Sequence, residues 1–184
     1  DMKSFQTKLT TKEVLNSNFL RTTSSLKFAF VRMERPWAHS SNLFAQLFNL
    51  VEVENCTFLN TYAATENPTR KGYGVEIVRS PMVSIANSDF GNLHTGAVVA
   101  PAFILSVSDC NFEDNVLGLL SKASGGWVCT SDFIDNEFSI HAVDVSEMYY
   151  FDNQFTGCVD GISVWTGGRH LLRNNDFGTY QNGL

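Results

Sequence analysis

The chain has 184 residues and a formal net charge of −6; 43% of its residues are hydrophobic, 12% aromatic and only 17% charged. That much aromatic content with so few charges excludes a disordered or coiled-coil chain, and no apolar run reaches the ~18 residues of a transmembrane helix. The acidic balance argues against general nucleic-acid binding, and the length suits one domain with a real core.

Seven segments, taken from the N-terminus, share one pattern: apolar, any residue, Asn/Asp/Thr, two further positions, Phe. They are residues 14–19, 53–58, 85–90, 107–112, 128–133, 150–155 and 172–177. The intervals between Phe19, Phe58, Phe90, Phe112, Phe133, Phe155 and Phe177 are 39, 32, 22, 21, 22 and 22 residues. A second column keeps the same step. Six residues after a Phe comes a small residue opening an apolar strand: Ser25, Gly96, Gly118, Ser139, Gly161 and Gly183. The two long intervals place insertions at about 31–49 and 59–73, and Ser25-Leu26-Lys27-Phe28 is expected in register with the later post-Phe strands.

A period near 22 residues, with short strands and no helical pattern, predicts a solenoid whose coils bury their apolar sides only by stacking. The phenylalanines should form one ladder. The residues three positions earlier (Asn16, Asn55, Asn87, Asp109, Thr130, Asp152, Asn174) should form another, suited to left-handed corners and to amide hydrogen bonds between coils. Period-2 alternation before each corner points Val51/Val53, Val83/Ile85, Leu105/Val107 and Met148/Tyr150 inward. Seven or eight coils are expected in one domain over residues 1–184. The chain opens on Asp1 and stops at Gly183-Leu184, early in a strand, so a piece of a longer protein or a partner over that end is expected.

The apolar-x-Asn-x-x-Phe segment followed by Gly and an apolar strand resembles the repeat of the pectin lyase-like superfamily. That resemblance implies a single-stranded, right-handed parallel β-helix. It further implies a setting among polysaccharide-active enzymes, phage tailspikes and tail fibres, or non-catalytic surface proteins. No Trp-x-Asp-His, Gly-His-Gly, paired-Asp or Asp-Pro-His-Asp signature is present, so no catalytic residue carries over from it.

Outward positions must carry any function. The first insertion holds Arg32, Arg35, Trp37 and His39; the second holds Arg70, Lys71 and Tyr73, with Arg79 nearby. Basic and aromatic side chains together suit an anionic glycan, although such loops also pack against sheets. On the strand before each corner, two outward columns change from acidic to aromatic along the chain. They end in Trp127, Tyr149, Phe151 and Arg173, which should form one patch: a sugar-stacking platform, or a contact with another subunit. Asp114 and Asp135 share a column on adjacent coils beside Asp132. Such carboxylates serve as the acid and nucleophile of a retaining glycosidase, bind Ca²⁺, or simply turn the chain. His141 and Asp144 form a second candidate proton-transfer pair. Cys56 and Cys110 share a column two coils apart, beyond disulfide reach, while Cys129 and Cys158 lie in other columns, so the redox compartment stays open. Asn55-Cys56-Thr57 is formally a glycosylation sequon, but Asn55 belongs to the ladder.

The functional expectation is a carbohydrate-recognising module of an extracellular, cell-surface or virion protein, degrading polysaccharide if the aspartates act. The alternative is a non-catalytic assembly module whose aromatic face packs against sister subunits in a homo-oligomer, a trimer among them. No cofactor is expected beyond Ca²⁺ at the aspartates, and neither nucleic acid nor a membrane span is expected.

Overall fold

The computed structural model describes residues 25–29, 32–34, 41–46, 48–60 and 72–178. In chain order the strands are β1 (Ser25–Ala29), β2 (Arg32–Glu34), β3 (Ser41–Gln46), β4 (Leu50–Glu54), β5 (Thr57–Leu59) and β6 (Tyr73–Val78). There follow β7 (Met82–Ala86), β8 (Asp89–Gly91), β9 (Thr95–Ala100), β10 (Ile104–Ser108), β11 (Asn111–Glu113) and β12 (Leu117–Lys122). The last are β13 (Gly126–Cys129), β14 (Asp132–Ile134), β15 (Phe138–Phe151), β16 (Gln154–Thr156), β17 (Asp160–Arg173) and β18 (Asp176–Phe177). Among the described residues there is no helix.

Every strand pair is parallel, and each turn of the chain lays strands on three faces. The first face stacks β3, β6, β9, β12 and the leading halves of β15 and β17. The second stacks β1, β4, β7, β10, β13 and the trailing halves of β15 and β17. The third stacks β2, β5, β8, β11, β14, β16 and β18. The 14-residue strands β15 and β17 run around the first corner without a break, which fuses the first two faces into one 11-stranded sheet. About five turns of near-22-residue spacing make up the regular part, fewer than the seven or eight coils expected from the sequence.

The corners explain the sequence pattern. Asn55, Asn87, Asp109, Thr130, Asp152 and Asn174 all turn from the second face to the third with φ between 48° and 57°. Asn and Asp enter this left-handed region at less cost than other residues, because their short polar side chains bond locally. Asn92, Asp114 and Asp135 make the same turn from the third face to the first. The amide ladder, however, lies elsewhere than the sequence suggests. At the left-handed position it is the backbone that bonds across coils, as in Asn87 N–H to Ser108 O at 3.1 Å. The side-chain rail is one residue later, where the side chain points in. The Asn136 carboxamide oxygen accepts from Asn115 N–H at 3.1 Å and Asn115 Nδ2 at 3.0 Å, while its own Nδ2 donates to Phe112 O at 2.7 Å. Asn175 repeats this with Asn153 at the neighbouring corner. In the same rail, Ser131 Oγ accepts from Cys110 N–H and Ser88 Oγ from Cys56 N–H.

The core is axial. Phe58, Phe90, Phe112, Phe133, Phe155 and Phe177 stack with centroid spacings of 5.1, 4.7, 4.9, 5.1 and 4.8 Å and planes within 12°. The small-residue column fits against this ladder. A Cβ on Gly118 would stand 2.5 Å from Ser139 O and 3.1 Å from the Phe133 ring. Ser139 departs from glycine in that column, and its buried hydroxyl has no hydrogen-bond partner. The expected inward set is fully buried, from Val51 to Tyr150.

The first turn corrects the expected register. Ser25–Ala29 pairs with Leu50–Glu54 on the second face, so Phe28 matches Val53 instead of opening a post-Phe strand. Met33 takes the position below Phe58, and Phe19 lies outside the described residues. Within the span read as an insertion at 31–49, residues 32–34 and 41–46 are strands of the third and first faces. Strand pairing is set by neighbours on the next coil, whatever residue the repeat pattern assigns to a column.

Candidate binding surface

From Glu52 onward the outward columns of the second face stack as the spacing predicts, and Lys27 of the re-registered first turn heads the first of them. Lys27, Glu52, Ser84, Ser106, Trp127, Tyr149 and Leu171 form one row. Glu54, Ala86, Ser108, Cys129, Phe151 and Arg173 form the row beside it. The four residues expected to form one patch are therefore on adjacent rungs. Trp127 is 38% exposed, and Tyr149 and Phe151 are half-buried. The position of Trp127 is fixed by Gly126, where the chain passes so close to Leu105 O that a side chain has no room.

Polar groups order this end of the face. Tyr149 Oη donates to Glu147 Oε1 at 2.7 Å, and Arg169 Nη1 lies 3.7 Å from the same oxygen. The bond to the Glu147 carboxylate holds the Tyr149 hydroxyl above its usual range. Arg169 and Arg173 are themselves exposed. At the other end of the face Lys27 Nζ sits 2.7 Å from Glu54 Oε2, beside Glu52, and that hydrogen bond raises the Lys27 ammonium.

One feature was not legible as a site. Phe103 is 85% exposed at the corner between the first and second faces. Met82 and Ile104, exposed on neighbouring rungs, extend this apolar edge. Arg79, Pro81, Pro101, Ala102, Phe103 and Ala123 line a concavity of ≈ 230 Å³ beside it. The signal available in the sequence was a Phe outside the ladder column, two residues after a Pro.

Asp114 and Asp135 share a corner column on adjacent coils, both exposed and both left-handed, with Asp114 N–H bonded to Ile134 O at 3.1 Å and Asp135 N–H to Thr156 O at 2.8 Å. Asp132 is exposed on the third face in the row of Asn111 and Gln154. Asp114 and Asp135 thus serve as corner residues, while Asp132 opens β14. Among the described residues no three His, Cys, Asp or Glu side chains are grouped to hold a metal ion. His141 lies against the Trp165 ring at 5.4 Å, and Asp144 turns the corner and accepts from Thr166 Oγ1. Arg35, Trp37, His39, Arg70 and Lys71 lie outside the described residues. Arg32 is in β2, Arg79 turns an exposed corner, and Tyr73 opens β6 with its ring edge-on to His94 at 5.7 Å. All four cysteines are free thiols. No helix among the described residues is long and apolar enough to cross a membrane.

No curated protein and no solved structure matches the chain. A family model described as the right-handed beta helix region matches residues 19–177, a span that takes in the whole phenylalanine ladder and all three faces. The three-faced parallel coil and this match agree, and the chain belongs to the right-handed β-helix family.

Proposed function

We propose that the protein is a glycan-recognising β-helix, akin to the surface-binding members of the pectin lyase-like and tailspike group, and that it binds an anionic polysaccharide at a cell or virion surface. The observation that carries the reading is the pair of aromatic side chains, Trp127 and Tyr149, standing side by side on successive rungs of the second face. Flat rings in a row at coil spacing offer stacking surfaces for consecutive sugars. Arg169 and Arg173 flank them with exposed cationic forks suited to a carboxylate or sulfate. In a chain of net charge −6, such local cations are what make an anionic ligand acceptable. Arg35, Trp37, Arg70 and Lys71 supply a second basic and aromatic group from the sequence.

The reading is binding without turnover at this platform. Asp114 and Asp135 turn the corner between the third and first faces, which lies across the coil from the second face. A sugar stacked on Trp127 is therefore not in reach of those carboxylates. Trp127→Ala tests the proposal, with binding to a panel of anionic and neutral polysaccharides followed by fluorescence and the oligomeric state by light scattering. Loss of one stacking contact should weaken anionic-glycan binding about tenfold, leaving the oligomeric state unchanged. No glycan binding by the intact protein refutes it. Loss of an oligomer with unaltered glycan binding supports instead the assembly reading, in which this face packs on a sister subunit.

A further inference from the structure

The concavity beside Phe103 originates in unequal coil lengths. At the corner between the first and second faces, Val78 pairs with Ala100 and Met82 with Ile104, so residues 79–81 and 101–103 turn the chain on these two coils. The next coil is shorter. Val99 pairs with Ser121 and Leu105 with Gly126, so residues 100–104 face only residues 122–125. This is the 21-residue interval between Phe112 and Phe133. The missing residue leaves a notch over Ala123, and the longer corner before it carries Phe103 outward, 85% exposed.

The notch is apolar but for one group. Arg79, Pro81, Pro101, Ala102, Phe103 and Ala123 line its ≈ 230 Å³, and only Arg79 among them is charged. The backbone offers a ligand no donor there. Pro81 and Pro101 have no N–H. The other four N–H groups are already bonded: Arg79 to Ala100 O at 3.0 Å, Ala102 to Ser124 Oγ at 3.1 Å, Phe103 to Pro81 O at 2.9 Å and Ala123 to Val143 O at 2.8 Å. Arg79 turns its corner at φ 55°, a conformation that Asn and Asp adopt at less cost and that the other two corners give mostly to them. Neither Arg79 nor Lys122, exposed next to Ala123, has an ion-pair partner among the described residues. Asp144, the corner residue of the following coil, is engaged with Thr166. In a chain of net charge −6, two unpaired cations at one apolar notch favour an anion.

The geometry points to a single-ring aromatic carboxylate as the ligand of this notch. Its ring lies against Phe103 and the two prolines, and its carboxylate takes the Arg79 guanidinium fork, with Lys122 at the rim. The volume is below the ~300 Å³ at which pockets for drug-sized ligands begin, which restricts the occupant to one ring. An uncharged ring leaves the guanidinium unused, and an anion without an apolar body leaves Phe103 and the prolines in water. The notch lies at the corner, off the Trp127 platform, and the inference does not depend on glycan binding there.

Titration of the isotope-labelled protein with phenylacetate, followed by NMR, tests it. A dissociation constant of about 0.1–1 mM is expected for so small a ligand, with the largest amide shifts at Ala102, Phe103 and Ala123. Phenylacetamide keeps the shape and loses the charge, and should bind about tenfold more weakly; acetate, which lacks the ring, should give no saturable shift. Phe103→Ala and Arg79→Gln should each weaken phenylacetate about tenfold and leave the unfolding midpoint in place, because both side chains are exposed. Trp127→Ala should leave the affinity unaltered, which separates this notch from the platform. No saturable binding of phenylacetate up to about 10 mM overturns the proposal. So do largest shifts elsewhere in the chain, an amide bound as tightly as the acid, or an affinity untouched by Phe103→Ala.

Discussion

Phe112→Ala removes the middle ring of the axial ladder. Phe112 is fully buried, with Phe90 stacked on one side at 4.7 Å and Phe133 on the other at 4.9 Å. Burial of the side chain contributes about 1.5–3 kcal/mol, and each stacked pair adds about 0.5–1.5 kcal/mol. The coils are held apart by their own hydrogen-bonded strands, so the site cannot collapse to fill the gap, and about 4 kcal/mol is expected. Phe177 is the internal control. It is 40% exposed and stacks on one described ring only, Phe155 at 4.8 Å. Phe177→Ala should cost about 2 kcal/mol, since it forfeits one stacked pair and a fraction of the burial. Urea unfolding followed by tryptophan fluorescence measures both. With m near 2 kcal/mol/M, the midpoint should fall by about 2 M for Phe112→Ala and about 1 M for Phe177→Ala. Equal losses at the two positions, or less than about 1.5 kcal/mol at Phe112, would refute the view that stability accumulates rung by rung along the ladder.

Three further outcomes follow from the same structure. Asn136→Ala strips partners from Asn115 N–H, Asn115 Nδ2 and Phe112 O, all inside the coil; a loss of about 2–4 kcal/mol is expected, with faster hydrogen exchange at the Asn115 amide as the local marker. Phe103→Ala should change stability by less than about 0.5 kcal/mol, because the ring is 85% exposed, and a loss as large as that at Phe112 would contradict its placement at the surface. Burial pushes the Cys110 thiol from 9.0 up to about 12, so between those values the folded chain keeps a proton that the unfolded chain releases. Stability is then fully present below pH 9 and declines above it by about 1.4 kcal/mol per pH unit. Cys110→Ser, which matches Ser88 and Ser131 in the same rail, should lessen the decline that begins near pH 9, leaving the later one that buried Tyr150 contributes above pH 10, and an unchanged decline would reject the assignment.

The sequence by itself determined the repeat. A ring recurring every 22 residues must stack if the coils are parallel, and left-handed corners select Asn and Asp, so Phe90 through Phe177 and Asn87 through Asn174 were readable from spacing alone. The second-face row that carries Trp127 and Tyr149 was readable for the same reason, because period-2 alternation between two fixed corners leaves no freedom of register. Where the spacing broke, only the tertiary structure decided. Ser25-Leu26-Lys27-Phe28 fits two faces equally well by pattern, and its parallel pairing with Leu50–Val53 placed it on the second. The amide rail moved one residue along because the left-handed residue points its side chain outward and its successor points in, which is a matter of corner geometry. The notch beside Phe103 is likewise a property of the stack. Arg79, Phe103 and Ala123 are far apart in the chain, and they came to line one concavity only when their coils were laid on one another.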